Sequence, residues 1–168
     1  MLNAFAAWLL GTPVTAFLEN AAWAVPTIQT LHILCIALVF GGAVFINLRV
    51  FGLIERDQPI AAVLDRFLPT MTIALGVLAL TGALLIASEP NRALFRVVFW
   101  VKMGLILLAV AATWGQRRLI LAGSAAGDSA TSPLGVRLFA GLTLILWVGV
   151  IFAGRWIGYA TGWPGSPS

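Results

Sequence analysis

The chain has 168 residues, 61% hydrophobic and 10% charged, with a mean hydropathy of +1.01 and a formal net charge of +4. Soluble domains carry about a quarter charged residues, so this composition belongs to a membrane protein with one helical domain. The scattered cations form no basic block and no finger motif, which excludes a nucleic-acid interface, and a single cysteine excludes an internal disulfide and a Cys-rich metal centre.

The apolar runs are continuous rather than alternating. They predict helices, not barrel strands. Met1 to Leu10 is too short to span. Gly11-Thr12-Pro13 breaks it, and Thr12 is placed to cap a second short helix with Pro13 at its first position. Residues 1–22 are expected to lie in the membrane interface, where Trp is favoured. No Lys or Arg precedes Arg49, so the start lacks the basic region of a secretory signal and is expected to be retained.

Residues 23–160 are expected to form a four-helix transmembrane bundle, all-α, with spans at about 26–51, 67–88, 95–116 and 135–159. Glu55 to Pro59 is a polar turn, and Ile60 to Leu68 is an amphipathic lead-in carrying Asp65 and Arg66. Pro69 is expected in the first turn of span two, where its missing N–H matters least. Glu89-Pro90-Asn91-Arg92 is a tight turn. Ala122 to Pro133 is rich in Gly, Ser and Ala and reads as a flexible loop. Residues 161–168 are expected to be a loose tail. The partner throughout is the lipid bilayer.

Polar residues within spans are costly and mark function. Span one carries the chain's one histidine, His32, its one cysteine, Cys35, and the pair Gly41-Gly42. At 1.5 Å per residue His32 lies about 8–10 Å below its end of the bundle. Lys102 on span three lies at a similar depth from the same side, Met103 adjoins it, and Arg155 sits near the end of span four. Steps of seven and eleven residues return to one helix face. Ala109 and Thr113 therefore share the face of Lys102; Thr70, Val77, Thr81 and Ser88 share one in span two; Gly141, Val148 and Arg155 share one in span four. These small or polar faces suit close packing. Two readings of His32 are open: a ligand to a metal or cofactor, or a packed imidazole bonded to another helix. Lys102 and Arg155 have a second reading as anchors to lipid phosphates. The glycines and Cys35 read as packing residues, and Met71 and Met103 have a reading as gap-fillers.

The stretch LHILCIALVFGGAVFINLRVFG, with His32 at its start and Arg49 near its end, resembles small bacterial membrane proteins of unknown function. It is more distantly similar to the copper-resistance membrane proteins of the D type and to the membrane protoporphyrinogen IX oxidases that use haem b. The resemblance to the oxidases also involves Lys102 in FWVKMGLILL and Thr81-Gly82 in LALTGALLIA, and it extends over Thr30 to Thr113. It implies haem b held by His32, with Arg49 at the far end of the same span and Lys102 as a further site residue.

Three functions follow. The first is a protein binding haem b or a related redox ligand, with His32 as axial ligand and Lys102 or Arg155 paired to propionates. One copy supplies one histidine, so a second axial ligand requires Met103, an open sixth position, or His32 of a second copy in a homodimer. The second is a cofactor-free accessory or assembly subunit of a larger membrane complex. The third is a quinone, lipid or copper handler, although one His, one Cys and three Met are sparse for a copper path. Hydrolase and kinase motifs are absent, and whether the chain is an enzyme is left open.

Arg49, Arg56, Arg66, Arg117, Arg118 and Arg137 flank one side of the bundle and Arg92, Arg96 and Arg155 the other. The positive-inside rule then places both termini in the periplasm of a bacterial inner membrane. A reporter fused after Ser168 should be active only when it requires export; activity restricted to a cytoplasmic reporter overturns that orientation.

Overall fold

Lipid offers no partner to backbone N–H and C=O, so long apolar runs must satisfy those groups within themselves and fold as helices. The computed structural model describes residues 1–125 and 134–159. Its helices are α1 (Leu2–Leu10), α2 (Pro13–Asn20), α3 (Ala24–Val50), α4 (Ile60–Ser88), α5 (Pro90–Leu94), α6 (Val97–Ala125) and α7 (Leu134–Trp156). Four of them, α3, α4, α6 and α7, are long and apolar enough to cross a bilayer. The protein is an all-α, multi-pass membrane protein.

The long helices pair before they bundle. α3 lies along α4 and α6 along α7; α3 against α7 joins the two pairs, while α4 and α6 approach only sparsely. Small residues permit the close approaches. Ala43, Ala109 and Ala140 are fully buried, and a Cβ on Gly42 would lie 2.7 Å from both Cγ and Sδ of Met71 on α4. Gly42 is thus a packing residue, whereas Gly41 faces open space. Large apolar side chains such as Ile73, Leu107, Ile145 and Phe152 point outward, as lipid-facing surfaces require.

The two ends of the bundle differ. At the Arg49 end, side-chain amides tie helices together. Gln116 Nε2 on α6 donates to Asn47 Oδ1 on α3 at 2.8 Å, and Asn47 Nδ2 donates to Ala43 O at 2.8 Å. Trp147 Nε1 on α7 donates to Thr113 Oγ1 on α6 at 3.3 Å. At the His32 end the two short helices lie across the bundle. Thr12 caps α2 as expected, with Pro13 in its first turn. Thr15 Oγ1 sits 2.8 Å from Leu9 O and 3.0 Å from Ala87 O at the end of α4. Leu18 packs on Ala24 and Ala87, and Ala6 on Leu94, Phe95 and Phe99.

The structure corrects several boundaries. The lead-in and span two form one continuous helix, so Pro69 lies inside α4 rather than in a first turn. Val63 and Leu64 are buried and pin the early turns of α4 to the core, which offsets the lost hydrogen bond. α6 runs past Gln116-Arg117-Arg118 to Ala125, because Gln116 and Ile120 are both buried. It therefore takes in the first residues of the expected Ala122–Pro133 loop, the rest of which lies outside the described residues, as does the expected tail. In α7 the buried line is Ala140, Thr143, Trp147, Val150 and Ala153. Val148 is 41% exposed and Arg155 is exposed, so the expected inward face through Gly141 turns outward instead. The Trp147 indole, anchored on Thr113, sets that rotation. Thr70 likewise faces out although Thr81 is buried.

The Asn47–Gln116 bond generates a test. Asn47→Leu or Gln116→Leu alone leaves a buried amide without its partner, a loss of about 1–3 kcal/mol. Unfolding of the single and double variants in mixed micelles should show a coupling of about 0.6–1.7 kcal/mol. Strict additivity would mean that the crosstie contributes nothing.

Candidate functional site

α3 presents His32 toward α4. Its Nδ1 lies 2.7 Å from Thr81 Oγ1. A hydroxyl has one proton to donate, and Thr81 Oγ1 is 2.7 Å from Val77 O, the usual back-bond of a threonine within a helix. With that proton committed, Thr81 accepts from Nδ1–H. This assigns the Nδ1–H tautomer and leaves the lone pair on Nε2, which has no hydrogen-bond partner among the described residues. Gly82 completes the seat: a Cβ there would lie 3.6 Å from His32 Cε1, so the ring edge rests on a helix surface without side chain. The imidazole is half-buried.

Lys102 faces inward on α6. Ala109 and Gln116, one and two seven-residue steps along, are both buried. Its stem runs over α7 at Gly154, where a Cβ would lie 3.5 Å from Nζ. The ammonium has no ion pair and no hydrogen bond among the described residues. It lies within electrostatic reach of His32. The structure therefore brings together the histidine and lysine that the sequence placed in one layer.

It does not bring in the other candidates. Met103 is one position beyond Lys102 and turns into the cluster of Leu94, Phe95 and Phe99 under α1. Arg155 is exposed; it donates to Tyr159 Oη at 3.1 Å, and its guanidinium stacks 5.4 Å from that ring centre. Arg49 is buried at the opposite end, where Nε donates to Gln58 O at 3.0 Å and the guanidinium also reaches Arg56 O. It folds the loop between α3 and α4 back onto the bundle. Seventeen residues of helix put it about 25 Å from His32, too far to share a small ligand. The sequence reading missed the Asn47–Gln116 and Trp147–Thr113 ties. Their signal was present, since amides in apolar spans need partners.

No group of three His, Cys, Asp or Glu side chains among the described residues could hold a metal ion. His32 offers one nitrogen. A bare zinc or copper ion wants three or four protein ligands; a metal already held in a macrocycle needs one or two.

Residues 20–160 match a family described as "Family of unknown function (DUF6644)". The chain belongs to that family. No curated protein and no solved structure matches it. The family match takes in all four long helices, His32 and Lys102, and leaves out α1 and all but the last residue of α2.

The tautomer is directly testable. In protein labelled with ¹⁵N-histidine, His32 should show a protonated Nδ1 and an unprotonated Nε2, and Thr81→Val should convert this to a mixture. A wild-type spectrum with Nε2 protonated would remove the free ligand atom.

Proposed function

We propose that this protein is a small integral membrane protein that binds a ligand in the His32 half of its bundle, through His32 Nε2 and the Lys102 ammonium. The occupant that uses both groups is haem b or a related redox macrocycle. The observation that carries this reading is the pinned imidazole. Thr81 holds Nδ1, as outer-sphere partners of ligating histidines do, and so fixes which nitrogen is available. The donor set fits such a group: one imidazole that would hold the metal, and one cation, without an acidic partner among the described residues, for a carboxylate.

When bound, haem would supply a one-electron couple. The chain's part is to orient the ring nitrogen, to place a positive charge beside it, and to exclude water with α1 and α2, which lie over that end. Met103 packs elsewhere, so His32 is the side chain that would hold the metal from this chain, and any further ligand would come from an exogenous molecule or from a second copy. Arg155 and Arg49 take no part in this site: the first reads as an interface anchor, the second as a loop clasp.

The test is a visible absorption spectrum of protein purified from cells supplied with a haem precursor. Wild type should show a Soret band with about one haem per one or two chains; His32→Ala should lose most of it and Met103→Leu should keep it. A wild type with no Soret band, or a band unchanged in His32→Ala, rejects the haem reading. It would favour a packed histidine in an accessory subunit, for which the interhelix bond to Thr81 would suffice.

A further inference from the structure

Three features of the His32 half bear on how a ligand reaches it. First, the His32 end is covered from the aqueous side: Thr15 is bonded to Ala87 O, Leu18 sits on the start of α3 and the end of α4, and Ala6 sits on α5 and α6. Second, α4 and α6 are neighbours in the bundle that pack only sparsely against each other. On α4 the α3-facing side carries Met71, and on α6 the α7-facing side carries Leu105, which lies against Gly149. Val77 and Leu84 on α4 and Ile106 and Val110 on α6 are half-buried and lie about 100–140° around their helices from those two sides, on the flanks left for the seam. They are wholly apolar. Third, Lys102 carries a charge at membrane depth with no acidic partner among the described residues.

From these we infer that the site is loaded from the bilayer, through the seam between α4 and α6, by an amphiphile with an apolar body and a terminal oxyanion that pairs with Lys102. The inference rests on the proposed site but takes from it only the inward lysine, not the iron. Water-borne anions meet α1 and α2; a lipid-soluble molecule meets sparsely packed helix faces in the half of the bundle that holds Lys102. An ammonium in hydrocarbon surroundings gains most from an oxyanion that arrives with its own apolar body, because the tail replaces lipid contacts while the head neutralises the charge. At Gly154 the ammonium lies alongside α7, close enough that a Cβ there would be in ordinary contact with Nζ.

The experiment titrates sodium oleate into the detergent-solubilised full chain and counts bound molecules by native mass spectrometry, with oleamide and inorganic phosphate as parallel probes. The expected result is one oleate bound, at least tenfold weaker in Lys102→Gln, restored in Lys102→Arg, and at least tenfold tighter than oleamide. Phosphate alone should not bind. Ile106→Trp, which fills the seam, should slow exchange with deuterated oleate at least tenfold. Equal binding to Lys102→Gln and wild type, equal binding of oleamide, saturable binding of phosphate alone, or an unchanged exchange rate in Ile106→Trp each overturns the inference. Haem content is read in the same preparations by absorption. Oleate binding without a Soret band sinks the haem reading and leaves this one standing, and a Soret band without oleate binding does the reverse.

Discussion

Everything in this bundle depends on one constraint: inside hydrocarbon a polar side chain has only protein to bond to. The chain meets it with paired groups on different helices. Asn47 meets Gln116, Trp147 meets Thr113, and His32 meets Thr81. Each pair names two helices and a register, so the polar residues specify which helices touch while the small residues set how closely. The α4–α6 neighbours, which pack only sparsely, and the α3–α7 neighbours are bridged by none of these bonds.

The pairs are not equivalent in what they leave over. At the Arg49 end the amides satisfy each other and the backbone, and the side chains are nearly invisible from outside, with Asn47 at 1% and Gln116 at 2% exposure. At the His32 end the bond consumes one ring nitrogen and leaves the other, and Lys102 has no hydrogen bond or ion pair among the described residues. A fold optimised only for stability would not place a spare lone pair and a spare charge in the same half-buried layer, because each is costly in lipid. The family match spans both residues, yet the physical case for a site rests on this asymmetry between the ends.

Much of this was legible in the sequence. Four apolar runs gave four membrane helices, helical spacing put Lys102 on the same inward face as Ala109, and depth matching put it near His32. Thr12-Pro13 read correctly as a helix start. What failed was rotation and continuity. Seven-residue spacing shows that Gly141, Val148 and Arg155 share a face but not which way that face points. Trp147 decides it, through a bond to a helix over thirty residues earlier. Pro69 read as a boundary because local rules penalise it inside a helix, and buried Val63 and Leu64 outweigh that rule from a distance. The docking of α1 and α2 on the bundle was also invisible, since composition shows an interfacial segment but not the carbonyl it will bond.

That last contact bears on the order in which the molecule can be assembled. Thr15 and Ala87 are separated by 72 positions, and two membrane helices lie between them. At about 5–20 residues per second of synthesis, α2 exists for several seconds before its acceptor has been made. During that interval the N-terminal segment, with Phe5 and Trp8 on α1, Phe17 on α2 and Trp23 before α3 all exposed even in the finished fold, lacks the α4 and α5 surfaces it later packs on. The first helices translated thus wait for partners made much later in the chain. The covered end of the bundle closes only after α4 has been threaded through the bilayer and α5 has turned the chain back.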